Sequence, residues 1–184
     1  SHRFPSKNLG CAGDGVALFT KDEALGKQIN SMSNHGQGDQ DYYEYIGINS
    51  RLDTLQAAIL RVKLKHLDSY NSARQKAASA YDAAFGSNKN LQVPFRNPAS
   101  THTFHQYTLK VLNGHRDALI AHLTAKNIPA KVYYPVPLHA SKPYTTACRY
   151  DVKELQNTMQ ITSEVMSLPM HTELSDAQLQ YITG

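Results

Sequence analysis

An α/β fold in which a long helix joins two parts of the chain is predicted by three observations. Apolar residues recur at helical spacing from Leu52 to Phe85. Helix and strand patterns alternate beyond residue 87, and the first 50 residues run loop, short strand, helix, loop. The corresponding division is 1–50, 51–86 and 87–184.

The chain opens on a tight loop. Pro5 fixes its own φ, and Gly10, Gly13 and Gly15 are free to take φ > 0. Gly15-Val16-Ala17-Leu18-Phe19-Thr20 is β-prone, so Lys7 is expected on a loop leading into a strand. Thr20 and Glu23 match a capping box, which predicts a helix over residues 21–33 with Leu25, Ile29 and Met32 on one face. It ends at Asn34-His35-Gly36. The stretch from Gln37 to Tyr45 is an exposed loop whose tyrosines either cover a ligand or pack on the surface.

Ser50 and Asp53 form a second N-cap pair ahead of one very long helix, or two in line. At ~1.5 Å per residue it reaches about 50 Å, longer than a small domain needs and suited to tying two domains or lying in a subunit interface. Gly86 stops it, and Lys63, Lys65 and His66 mark its solvated flank. Leu91-Gln92-Val93 is a short apolar run. Residues 103–112 have strand character, with His105, Tyr107, Leu109 and Val111 on one face, and Asn113-Gly114 ends them as a turn. A helix over 116–126 carries Leu119, Ile120 and Leu123. Then come a strand over 130–134, a helix over 151–166, a short strand at Leu168 and a final helix capped by Ser175-Asp176-Ala177-Gln178.

Composition excludes several function classes. No apolar run is long enough for a bilayer and no signal-peptide pattern occurs, so no membrane partner is expected. Cys11 and Cys148 are too few for a disulfide framework, which favours a reducing, cytoplasmic setting. The net charge is +4, but the basic residues form no run, so no nucleic-acid surface is read. The mild excess suits an anionic small molecule or a plain solvated surface. Of the nine histidines, His102 and His105 are the closest pair, yet three residues apart on a strand they face opposite sides and no tetrahedral set is completed; no metal is expected. No nucleophile elbow is present, and Cys11 reads as a small buried residue.

Three blocks carry a more specific signal: Phe4-Pro5-Ser6-Lys7-Asn8-Leu9-Gly10 with Gly13-Asp14-Gly15; Asn34-His35-Gly36 followed by Gly47-Ile48-Asn49-Ser50-Arg51 and Gln56-Ala57-Ala58-Ile59; and Tyr134-Pro135-Val136-Pro137-Leu138-His139. In that order they resemble the DegT/StrS family of pyridoxal 5'-phosphate (PLP) nucleotide-sugar aminotransferases. The resemblance spans nearly the whole chain. Such enzymes are about twice this length, so the chain looks like the C-terminal part of a fold-type I aminotransferase: the tail of the large domain, a connecting helix and a small α/β domain. Where the family typically has a phosphate-binding serine, five residues before the lysine, this chain has His2. Either the sequence departs from the pattern or Ser1-His2 is an expression-tag remnant, the reading preferred here.

The resemblance implies a role for each block. Transamination needs an amine that bonds the cofactor aldehyde and afterwards moves a proton, and Lys7 is the candidate; to act at pH 7 it would need burial and nearby cationic charge. Asn49 would reach across a homodimer interface to the cofactor phosphate of the neighbouring subunit. Just ahead of the long helix, it could instead be a simple cap. Arg51 would grip a substrate carboxylate, or form a plain helix salt bridge. Tyr134 and His139 would face the sugar nucleotide, or serve loop packing, and His35 is structural. An acid for the pyridinium nitrogen and an aromatic for the ring would come from the part not present. The implied reaction moves an amino group from an amino acid, glutamate by resemblance, to a keto group of a nucleotide-linked sugar in surface polysaccharide or lipopolysaccharide synthesis. The blocks look closest to the branch acting on UDP-linked 3-keto sugars. Related dehydratases replace the lysine with histidine, which Lys7 argues against. The alternative is a non-catalytic dimerisation or regulatory module; Val16, where the family often has glycine, lends it some weight.

Overall fold

A computed structural model describes residues 2–39, 42–147 and 152–184. The chain divides into two compact units, Ser1–Asp68 and Ser69–Gly184. Cys148 and the expected helix start at Asp151 lie outside the described residues, as do Gln40 and Asp41 of the tyrosine-rich loop.

In the first unit, α1 (Glu23–Ser33) begins two residues later than the capping pattern suggests. Asp22 is the N-cap and its Oδ1 accepts from the Leu25 N–H at 3.0 Å, while Thr20 Oγ1 accepts from the Asp22 N–H at 3.0 Å. The β-prone run at Gly15–Thr20 forms no strand. Val16 forms a single bridge to His2, and Leu18 and Phe19 remain exposed. α2 (Thr54–Leu64) has Asp53 as N-cap without a side-chain cap bond, and the Ser50 N–H is spent on Ser33 O at 2.8 Å, so the expected cap pair does not form. The helix closes at Lys65 and His66, whose N–H groups turn back to Val62 O and Lys63 O, and α3 (Leu67–Phe85) follows as a separate helix. Among the described residues, Leu9 and Cys11 are the buried apolar side chains of this unit, and α2 buries none of its residues. Backbone hydrogen bonds rather than a core therefore hold it.

The second unit has a conventional core. Strands β1 (Leu91–Gln92), β2 (Tyr107–Val111) and β3 (Val165–Leu168) form an antiparallel sheet in the order β1-β2-β3, with Leu91 opposite Val111 and Leu109 opposite Met166. In β2, Tyr107, Leu109 and Val111 are buried, as the alternation predicts. The strand starts later than expected because Phe104 takes a positive φ of 42°, which leaves His105 outside it. α4 (Arg116–Ala125) supplies Leu123, and the turn at Asn113 and Gly114 has both φ values positive, 60° and 73°. Beyond this the outline differs from expectation. Residues 130–134 contribute a single bridge, Lys131 to Ser167, because Pro129 and Pro135 lack the N–H groups a ladder needs. The helix expected over 151–166 is α6 (Gln156–Glu164), preceded by the 3-10 turn Val152–Leu155, and it gives way at Val165 to β3, buried along its whole length. α5 (Lys142–Ala147) was not predicted. α7 (Asp176–Thr183) carries the expected capping box, Ser175 with Gln178.

Ala77, Ala78 and Tyr81 of α3 meet Tyr107, Leu109, Met166, Leu168, Phe104 and Leu179 in one core. The tyrosine hydroxyls in it are partnered: Tyr81 donates to Pro169 O at 2.8 Å, and Tyr107 to Asp82 Oδ1 at 2.6 Å. Arg96 clasps Asp82 and lies 4.1 Å over the Phe104 ring. Arg74 is buried, its Nη1 within 3.2 Å of the carbonyls of Phe104, His105 and Met170, and desolvation holds its pKa below the usual arginine value.

Arg74→Ala strands three carbonyls and should cost roughly 3 kcal/mol or more in urea unfolding. Burial pushes the Tyr81 hydroxyl up to about 12, and burial followed by the bond to Asp82 raises Tyr107 as well. The folded state thus holds these protons more tightly than the unfolded chain, which releases them near pH 10. That contribution is complete below pH 10 and is lost as pH climbs through the folded values, so stability should fall by up to about 1.4 kcal/mol per pH unit per tyrosine. Urea midpoints measured across this alkaline range check it.

Candidate active site

Lys7 sits on a loop whose ends are tied together. The Arg3 N–H donates to Gly15 O at 2.7 Å, and Arg3 O accepts from the Cys11 N–H at 2.7 Å and from the Cys11 thiol at 2.8 Å. The Lys7 N–H donates to Phe4 O at 2.9 Å, closing a turn over Pro5. Gly10 presses on the carbonyls of Phe4 and Pro5, where a Cβ would overlap them. The Pro/Gly pattern is therefore the signature of a loop that folds back on itself. Lys7 is half-buried, and Cys11 is buried, as its size suggests.

The second block is a backbone-paired structure. The His35 N–H donates to Ile48 O at 3.0 Å, the Ile48 N–H to Met32 O at 2.9 Å and the Ser50 N–H to Ser33 O at 2.8 Å, so that Asn34 and Asn49 form an antiparallel bridge. Gly36 has a φ of +83°, and any Cβ on it would run into Tyr45 O; a Cβ on Gly47 would meet Gly36 N and Met32 O. His35 contributes through its backbone, at a φ of 63°.

This pairing holds Asn49 five residues ahead of α2, so Asn49 does not cap the helix; Asp53 does. Arg51 Nε donates to Asn49 Oδ1 at 3.0 Å, and no ion pair among the described residues involves Arg51. Both side chains are exposed. The lysine loop is joined to the same helix, since Gln56 Oε1, in the first turn of α2, accepts from the Ala12 N–H at 2.8 Å. Tyr134 and His139 belong to the second unit, Tyr134 exposed and His139 half-buried in the 3-10 turn Leu138–Ala140. The structure brings Asn49 to Arg51 and the Lys7 loop to α2. Gln56 stands in its sequence block without a role, because its partner Ala12 lies 44 residues away and no local pattern marks the bond.

Residues 3–184 match the profile of the DegT/DnrJ/EryC1/StrS aminotransferase family. A Pseudomonas aeruginosa protein named UDP-2-acetamido-2-deoxy-3-oxo-D-glucuronate aminotransferase is 38% identical over 179 residues, covering 97% of this chain and 48% of its own length. The crystal structure of a DegT DnrJ EryC1 StrS aminotransferase from Brucella abortus superposes with a TM-score of 0.91 at 38% identity, over 100% of this chain and 48% of that one. Bacillus subtilis NtdA, solved with bound cofactor PMP, superposes with a TM-score of 0.86 at 25% identity, over 99% of this chain and 43% of that one. The chain belongs to the DegT/DnrJ/EryC1/StrS aminotransferase family. It spans about half the length of the curated relatives it matches.

The Gly36 site gives a direct test. Gly36→Ala combines a strained φ with overlap on Tyr45 O and should cost roughly 2 kcal/mol or more in urea unfolding. Gly114→Ala, at a φ of +73° with nothing within 4 Å, should cost only about 1 kcal/mol.

Proposed function

We propose that this chain forms part of a PLP-dependent aminotransferase that moves an amino group from an amino acid donor, glutamate in our reading, to a keto group of a nucleotide-linked sugar. The single observation that carries the proposal is the tethered Lys7 loop, joined through Gln56 to the helix that the Asn49–Arg51 pair precedes. The donor chemistry fits the cofactor. Lys7 offers an amine on a fixed loop; Asn49, its oxygen taken by Arg51, offers an amide N–H; Arg51 adds a cation that no carboxylate neutralises among the described residues. An anionic phosphate or carboxylate requires such a set. When bound, PLP supplies the electron sink for the carbon that loses its proton.

In this reading Lys7 holds the cofactor covalently and then carries the proton, and Asn49 donates to the phosphate of the neighbouring subunit in a homodimer with shared sites. Arg51, Tyr134 and His139 orient the sugar nucleotide. Residues 1–50 serve as the tail of the large cofactor domain, 51–86 as the connection and 87–184 as the small domain. The name of the P. aeruginosa relative supports a UDP-linked 3-keto sugar and hence a place in surface polysaccharide synthesis. Among the described residues no helix is long and apolar enough to cross a membrane, which suits a cytoplasmic setting.

Incubating the whole protein with PLP, reducing with borohydride and mapping the product should place the pyridoxyl group on Lys7. Lys7→Arg should abolish both the label and transamination, while Asn49→Ala should weaken cofactor retention about tenfold or more. Labelling at another lysine, or none, overturns the reading in favour of a non-catalytic module. These 184 residues alone are expected not to convert glutamate to 2-oxoglutarate, because the acid and aromatic that the ring requires are not among the site residues found here.

A further inference from the structure

We propose that Gln56 is the positioning residue that fixes the Lys7 loop against the start of α2, an inference that rests on the functional reading of Lys7 given above. Its position makes this unusual. With Asp53 as N-cap, Gln56 is the third residue of the helix, where a glutamine ordinarily reaches back to the cap N–H. Asp53 makes no side-chain cap bond, and Gln56 Oε1 turns instead to the Ala12 N–H, 44 residues away in sequence, at 2.8 Å. The helix thus forgoes a local bond in favour of a distant one.

The surroundings are shaped to this contact. The backbone bonds from Arg3 to Gly15, Cys11 to Arg3 and Lys7 to Phe4 are internal and define the shape of the loop. At Ala12 a backbone donor leaves the loop for α2. Next to it, Gly13 has no side chain where a Cβ would lie 3.2 Å from Gln56 Nε2, and a Cβ on Gly15 would lie 3.1 Å from Leu52 Cδ1. Two glycines thus bring the loop backbone within reach of this helix start. Gln56 thus fixes where the loop that carries the amine sits against the start of α2. A displacement of about 1 Å can cost a site two orders of magnitude in rate, so the tether sets a placement of Lys7 that catalysis depends on.

The test uses the whole protein in four forms: wild type, Gln56→Ala, Gln56→Glu and Gly13→Ala. Glutamate keeps an acceptor oxygen for Ala12 and is tolerated in the first helical turn; alanine removes the acceptor. Amide hydrogen exchange at Ala12 should accelerate roughly fivefold or more in Q56A and stay near wild type in Q56E. Gly13→Ala, whose Cβ asks the Gln56 amide to give by a few tenths of an ångström, should accelerate exchange less than Q56A and add nothing to it in the double variant. The yield of borohydride-trapped pyridoxyl on Lys7 at subsaturating PLP should fall in Q56A and recover in Q56E, with unchanged urea midpoints. Unchanged exchange at Ala12 in Q56A overturns the proposal, and so does equal impairment of Q56A and Q56E. A wild type that takes no label at Lys7 but shows the expected exchange pattern supports the tether and sinks the aminotransferase reading instead.

Discussion

Backbone contact between Gly36 and Gly47 is the constraint from which the first unit is built. With Leu9 and Cys11 as its buried apolar side chains among the described residues, this unit has little hydrophobic stabilisation to draw on. Order must come from directional bonds, and directional bonds need backbones that can approach. The two glycines allow it: the segment from Tyr45 to Ser50 lies on the end of α1 closely enough for Met32 O, Ser33 O and Gly36 O to find partners. Asn49 is placed as a consequence, at the bridge to Asn34, with Arg51 folded back on its amide oxygen. A core tolerates small shifts of its members, whereas a ladder of N–H···O bonds fixes them to a few tenths of an ångström.

The second unit is stabilised in the opposite way. Its core of aromatic and aliphatic side chains is continuous, and Tyr81 and Tyr107 pack 4.9 Å apart between ring centres. Burying their hydroxyls is tolerable because Pro169 O and Asp82 accept from them, and Arg96 offsets the charge of Asp82. Arg74 follows the same logic with higher stakes. Its guanidinium is desolvated, which is unfavourable, yet it gathers carbonyls from the turn at Phe104–His105 and from Met170, groups that no strand or helix satisfies. The positive φ of Phe104 is the local strain that this arrangement accommodates.

The sequence was legible wherever one local rule decided the outcome. Alternation in Tyr107, Leu109 and Val111 named the central strand's buried face, and Ser175 with Gln178 announced the last helix. The block containing Lys7 was visible from its proline and glycines, which reflect a real close approach of backbone to backbone. What could not be read depended on competition between rules. Thr20 and Asp22 both cap well, and the choice fell on the residue whose oxygen met Leu25. Val165 and Met166 continue a helical pattern, but pairing with Lys110 and Leu109 made them a strand. Arg74 carries no local mark at all, since its partners lie 30 to 96 residues away. Gln56 was hidden in the same way, since its partner Ala12 lies 44 residues away.

The division of labour between hydrogen bonds and burial bears on how the proposed chemistry would work. A reacting amine needs two things, a fixed position and a dry surrounding, and they come from different interactions. The first unit supplies position through the Arg3–Gly15 closure, the Ala12–Gln56 bond and the Gly36–Gly47 contact, each of them polar or backbone in kind. It does not supply dryness, for its larger apolar side chains face outward: Phe19 is 81% exposed and Ile46 98%. In the proposed reading position and dryness therefore come from different residues: the polar network of this unit holds the Lys7 loop in place, and its outward-facing apolar side chains take no part in that placement.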